Sequence, residues 1–69
     1  MKVAELIVLI ESIRFKKCMS QLKFAQSMGV NQFTYMKTVN GSTQPSFITL
    51  GRMISFLKEN GYSVELERD

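Results

Sequence analysis

Sixty-nine residues with a single cysteine, Cys18, and no histidine make room for one domain, without an intrachain disulfide or a zinc site of the usual ligands. The hydrophobic share of 45% is too high for a disordered tail, and no apolar run approaches the ~18–20 residues that cross a bilayer, so no membrane partner is expected. The net charge is +3, and all six acids lie near the ends: Glu5 and Glu11 at one, Glu59, Glu65, Glu67 and Asp69 at the other.

Between Ser12 and Lys58 there is no acid, but there are seven bases: Arg14, Lys16, Lys17, Lys23, Lys37, Arg52 and Lys58. A basic middle between acidic ends points to a surface that meets a polyanion, the plain alternative being a solvated basic surface. Leu6 to Ile10 resembles the middle of a signal peptide, but Glu5 and Glu11 flank it and no small-residue cleavage site follows, so a cytoplasmic protein is expected. A core this small leaves one copy marginally stable, which favours burial against a second.

In chain order, Val3, Leu6, Ile7, Ile10, Ile13 and Arg14 recur at helical spacing and predict a first helix over Lys2–Lys17. Val8, Leu9 and Phe15 lie off that stripe and make the helix apolar on a further side. Ser20 suits an N-cap, with Leu22, Phe24, Ala25 and Met28 as the apolar positions of a short second helix that Gly29 stops. Val30 then plugs a turn and Asn31 caps a third helix from Gln32 to about Asn40, with Tyr35, Thr38 and Val39 inward and Asn40-Gly41 at its end.

Ser42-Thr43-Gln44-Pro45 reads as a loop and Ser46 as the cap of a fourth helix, whose expected buried stripe is Phe47, Leu50, Met53, Ile54 and Leu57. After Asn60-Gly61 the period changes to 2: Tyr62, Val64 and Leu66 alternate with Ser63, Glu65 and Glu67, which predicts a strand. A lone strand in a helical chain has no ladder partner unless another molecule supplies one. Cys18, at a helix end beside Lys16 and Lys17, suggests a redox-sensitive thiol at most, and an inert small side chain is the simpler reading. No histidine, nucleophile–base pair, glycine-rich phosphate loop or metal cluster stands in the chain, so neither an enzyme nor a cofactor is expected.

Two short helices about a tight glycine turn, the second rich in polar side chains, form a helix-turn-helix pattern. Over roughly residues 10–57 the chain resembles the phage repressor family that includes the lambda repressor and Cro proteins. The matching elements are Ile10, Ile13 and Arg14, Met19-Ser20-Gln21, Phe24-Ala25, Gly29-Val30, Gln32, Asn40-Gly41, Pro45-Ser46 and Leu50. The resemblance implies an all-α, lambda-repressor-like domain of four to five helices over residues 1–61. Residues 62–69 then form a short C-terminal strand that pairs across a homodimer through Tyr62, Val64 and Leu66. The ending is similar to Cro proteins and to antitoxins that partner HipA-type kinases, and the same domain occurs in autoregulators encoded beside anti-CRISPR genes.

The implied function is sequence-specific binding of double-stranded DNA by a transcriptional regulator, an autoregulating repressor that holds a pseudo-palindromic operator as a homodimer. An antitoxin would add a cognate toxin as partner. On the third helix Gln32, Phe33, Met36 and Lys37 occupy the face near the N-terminus that reads base edges. Gln32 suits adenine N6 and N7, Phe33 suits thymine methyls, and Lys37 suits a guanine edge or a phosphate. By resemblance Gln21 contacts phosphate beside Gln32. Asn31, Asn40, Ser42 and Thr43, at helix ends and in the following loop, suit an anion, and Lys23, Lys16 and Lys17 extend the contact.

Solvated glutamines and lysines, and a Phe33 packed in the core, are the plain alternatives at those positions. Two positions depart from the family. Val39 stands where many relatives carry a glutamate that pairs with the arginine matching Arg14, so Arg14 must find Glu11, solvent or a phosphate. Phe33 stands where relatives carry a polar residue, so no relative's operator transfers to this chain. The competing reading is a protein-interaction module of the same fold without sequence-specific DNA binding.

Overall fold

The computed structural model describes residues 1–67, and all of its regular structure is helical: α1 (Val3–Lys16), α2 (Gln21–Met28), α3 (Gln32–Val39) and α4 (Phe47–Glu59). No described helix is long and apolar enough to cross a membrane. Each start has a local cause. The Lys2 N–H donates to Glu5 Oε1 at 3.1 Å, Ser20 Oγ accepts from the Lys23 N–H at 3.2 Å, and Ser46 Oγ accepts from the Thr49 N–H at 3.2 Å. Asn31 Oδ1 accepts from the N–H groups of Phe33 and Thr34, at 2.8 and 3.4 Å. Each bond satisfies a donor that the helix itself leaves unpaired.

Gly29 ends α2 at φ 73°, a left-handed conformation that costs glycine little, and Arg52 of α4 donates to its carbonyl. The end of α1 uses the same geometry without glycine: Cys18 sits at φ 54°, its N–H donating to Phe15 O at 3.1 Å and that of Met19 to Arg14 O at 3.2 Å. A side chain there is strained by its Cβ.

The core forms where the four apolar faces meet. Phe24 of α2 lies at its centre, edge-on to Tyr35 of α3 (centroids 6.0 Å apart) and to Phe56 of α4 (5.2 Å). Leu6, Ile10 and Ile13 close it from α1, and Val30 plugs the turn between α2 and α3 as the sequence suggests. Edge-to-face packing adds about 0.5–1.5 kcal/mol per pair beyond the area buried, so these two contacts fix how α3 lies on α2 and α4.

Two expectations are corrected, and the expected four to five helices number four among the described residues. Phe47 was assigned to the buried stripe of α4 but is 93% exposed; Thr49, Met53, Phe56 and Leu57 face inward instead. At 100° per residue Phe47 points roughly 160° away from Thr49, so a stripe through Met53 cannot include it. No fifth helix and no strand occurs among the described residues. The tail alternates from Ser63 on, with Val64 and Leu66 half-buried against the core and Ser63, Glu65 and Glu67 exposed, whereas Tyr62 is exposed.

One edge of the tail is paired within the chain. The Met1 amino group donates to Glu65 O at 3.0 Å and the Glu67 N–H donates to Met1 O at 2.9 Å. The neighbouring backbone turns into α1 after Lys2, so this parallel pairing stops after one residue. The last two residues of the expected 62–69 tail lie outside the described residues.

Candidate nucleic-acid interface

α2 and α3 are both eight residues long and joined by the three-residue turn Gly29-Val30-Asn31. Tyr35 and Thr38 point inward from α3 and Val39 is half-buried, so the opposite side is forced outward. That side carries Gln32, Phe33, Met36 and Lys37, all exposed, Phe33 at 63% and Met36 at 39%. Spacings of one and four residues put these four on one face. The structure thus brings the four expected reading residues together and removes core packing as the role of Phe33. A helix of this length spans roughly 12 Å, the width of a DNA major groove.

The expected phosphate residues fall into two sets. Lys23 on α2 and Asn31 at the start of α3 are exposed, and Gln21, which opens α2, is half-buried. The cap leaves Asn31 only its NH₂ for a further partner, because its oxygen is occupied. Beyond α3 the argument from free amides fails. Asn40 Oδ1 accepts from both the N–H and the hydroxyl of Ser42, at 2.9 and 2.6 Å, and the N–H groups of Ser42 and Thr43 also point at Lys37 O. That loop follows a helix C-terminus, whose dipole disfavours an anion, and although Asn40, Ser42 and Thr43 are exposed, their loop's N–H groups are already engaged. Lys17 turns to the C-terminal end of α4, where its Nζ donates to Asn60 Oδ1 at 3.2 Å and lies 5.7 Å from the Phe56 ring centre. Lys16 is exposed at the end of α1.

Arg14 takes the first of the three options left to it. Its Nε and Nη2 donate to Glu11 at 2.5 and 3.1 Å, and its Nη1 donates to Met19 O at 2.9 Å. Glu11 Oε2 also accepts from the Tyr35 hydroxyl at 2.6 Å, which ties α1 to α3. Burial pushes the Glu11 carboxyl up, but the hydrogen bonds from Arg14 and Tyr35, the Arg14 charge and the Gln21 amide outweigh it and hold the carboxyl below its ordinary value. Burial and then the Glu11 bond push the Tyr35 hydroxyl up, so it stays a neutral donor. The carboxylate that contacts α3 is therefore paired with an arginine.

The Tyr35 hydroxyl is the functional group that sequence reasoning passed over, since a tyrosine at an inward position looks like packing alone. Only the phenol oxygen, useless in an apolar core without an acceptor, hinted at a partner. Compared with family models, curated proteins and solved structures, the chain matches none.

Proposed function

We propose that the chain binds double-stranded DNA as a transcriptional regulator of the helix-turn-helix kind, two copies placing α3 in successive major grooves of a pseudo-palindromic operator. The observation that carries this reading is the outward set Gln32, Phe33, Met36 and Lys37 on one short helix held from behind by Tyr35. Gln32 offers a donor and an acceptor together, Lys37 a charge, and Phe33 and Met36 apolar contact for thymine methyls. The absence of acids from Ser12 to Lys58 supports it, since an approaching phosphate meets no carboxylate on α2 or α3. An autoregulating repressor, Cro-like, antitoxin or anti-CRISPR-associated, is the setting that the family resemblance implies.

A titration of duplex DNA against salt tests the reading. Each lysine that neutralises a phosphate contributes about 0.9 to the slope of log affinity against log salt, so Lys23→Ala and Lys37→Ala each flatten that slope by about 0.9. Slopes equal to the parent's in both variants would remove these lysines from any DNA contact.

One observation favours a second reading. Leu22, Phe33 and Met36 are all exposed on α2 and α3, and three large apolar side chains also suit a protein partner. Such a module binds every duplex weakly and without sequence preference, which the same titration detects.

A further inference from the structure

The structure assigns self-association of this chain to the outer face of α4. The inference starts from the two-copy reading above and relocates its contact surface from the C-terminal tail. Val64 and Leu66 already pack on their own core, and one edge of the tail's backbone is paired with Met1, so the apolar side chains expected to hold a second copy are already engaged within the chain.

What is left without a partner lies beside it. Phe47 is 93% exposed and Ile48 70% exposed, at the start of α4. Next to them runs a groove of about 660 Å³ lined by Val3, Phe47, Leu50, Gly51, Ile54 and Leu66. Among the described residues Glu67 at its rim is the one charged side chain in that lining, and it faces the Met1 amino group at 3.6 Å. A basic chain that carries a nearly uncharged patch of this kind can bring two copies together there with little charge repulsion.

Gly51 points to a second helix as the occupant. It stands mid-helix with ordinary helical backbone, and a Cβ built on it meets nothing within 4 Å, so nothing in the chain itself requires glycine. Glycine weakens a helix, and its use at an exposed position is explained by close approach of another backbone. The face is self-complementary, as a two-fold contact must be: it offers a protruding aromatic ring and, one turn along, a notch. An antiparallel crossing of two α4 helices at Gly51 sets each Phe47 against Ile54 and Leu66 of the other copy.

The size of the patch fits a weak dimer. An exposed aromatic ring supplies ~150–250 Å², and with Ile48 and the groove walls each copy contributes roughly 400–500 Å². The total of roughly 800–1,000 Å² lies below the ~1,200 Å² of stable specific interfaces and among weak, transient ones. The contact therefore forms in the micromolar range and is completed when two half-sites of one duplex hold both copies.

Sedimentation equilibrium of the full chain without DNA tests the assignment, so its failure is separate from failure of the DNA reading. The parent is expected to pass from 7.9 kDa to twice that mass over a micromolar concentration range. Phe47→Glu, at a site too exposed to disturb the fold, is expected to weaken the dimer about 30-fold or more. Gly51→Gln is expected to weaken it about 10-fold while leaving helix content unchanged or raised, a pairing of effects that damage to the fold would not produce. Val8→Glu, on the exposed side of α1, is expected to change nothing. A parent that stays monomeric to about 1 mM, a Phe47→Glu dimer as tight as the parent's, or a Val8→Glu loss exceeding that of Phe47→Glu would each overturn the assignment.

Discussion

Replacing Glu11 by alanine breaks the link between α1 and α3, and its cost can be worked from the contacts. The paired side chains are 13% (Arg14) and 17% (Glu11) exposed, between a surface pair worth 0–1 kcal/mol and a fully buried one whose breakage costs 3–5. About 2 kcal/mol is therefore expected from the ion pair, since Arg14 keeps its bond to Met19 O and its place over the Phe15 ring but no carboxylate among the described residues. Tyr35, fully buried, loses its acceptor as well, at about 1 kcal/mol or more. The sum of ~3 kcal/mol is a large part of the roughly 3–10 kcal/mol that a chain of this length holds in reserve. At 4–8 °C per kcal/mol, Tm falls by roughly 12–24 °C.

Tyr35→Phe removes one bond to a carboxylate that Arg14 still neutralises, at about 1.5 kcal/mol, and the double variant loses about 1 kcal/mol less than the sum of the two. Because folding lowers the Glu11 carboxyl below its ordinary 4.5, this stability is present above that pH and is lost as the pH falls through the folded-state value. Thermal melts by circular dichroism at neutral pH and across pH 2–5 read both effects. A Tyr35→Phe melt identical to the parent's, with losses that simply add, would refute the proposed coupling.

Two further outcomes follow from local geometry. Cys18→Gly removes the strain at φ 54° and is expected to leave Tm unchanged or raise stability by up to about 1 kcal/mol, whereas a left-handed position of no consequence would show the usual loss on introducing glycine. Truncation after Gly61 removes the half-buried Val64 and Leu66, at about 2 kcal/mol; a melting loss that persists at concentrations where the chain is monomeric supports intrachain packing of the tail, and an unchanged melt there contradicts it.

What could be read from sequence was whatever depends on neighbours. Ser20, Asn31 and Ser46 cap the helices they precede, and Gly29 ends α2, because capping and left-handed ends need only a few consecutive residues. The outward set on α3 was legible for the same reason, once Tyr35 and Thr38 were placed inside. Cys18 hid the end of α1, since the left-handed residue there is not glycine.

Phe47 was misplaced because α4 is apolar on two sides, through Met53 and through Ile54, and periodicity alone does not say which side meets α2. The second side is the face assigned here to a second copy. The pairing of Met1 with Glu65 and Glu67 joins residues 64 and 66 positions apart, and no local pattern announces it. Glu11 was one of three partners open to Arg14; its bond to Tyr35 needed the packed core to bring the two helices together.

The central claim is that the exposed side of α3 reads base sequence, and selection from a random duplex pool by the parent and by Gln32→Ala tests it most directly. The account predicts that the parent enriches an inverted repeat with half-site centres about 10 base pairs apart, and that Gln32→Ala loses preference at one or two positions in each half while keeping the spacing. A parent that enriches nothing, or a variant with the parent's full preference, would contradict it.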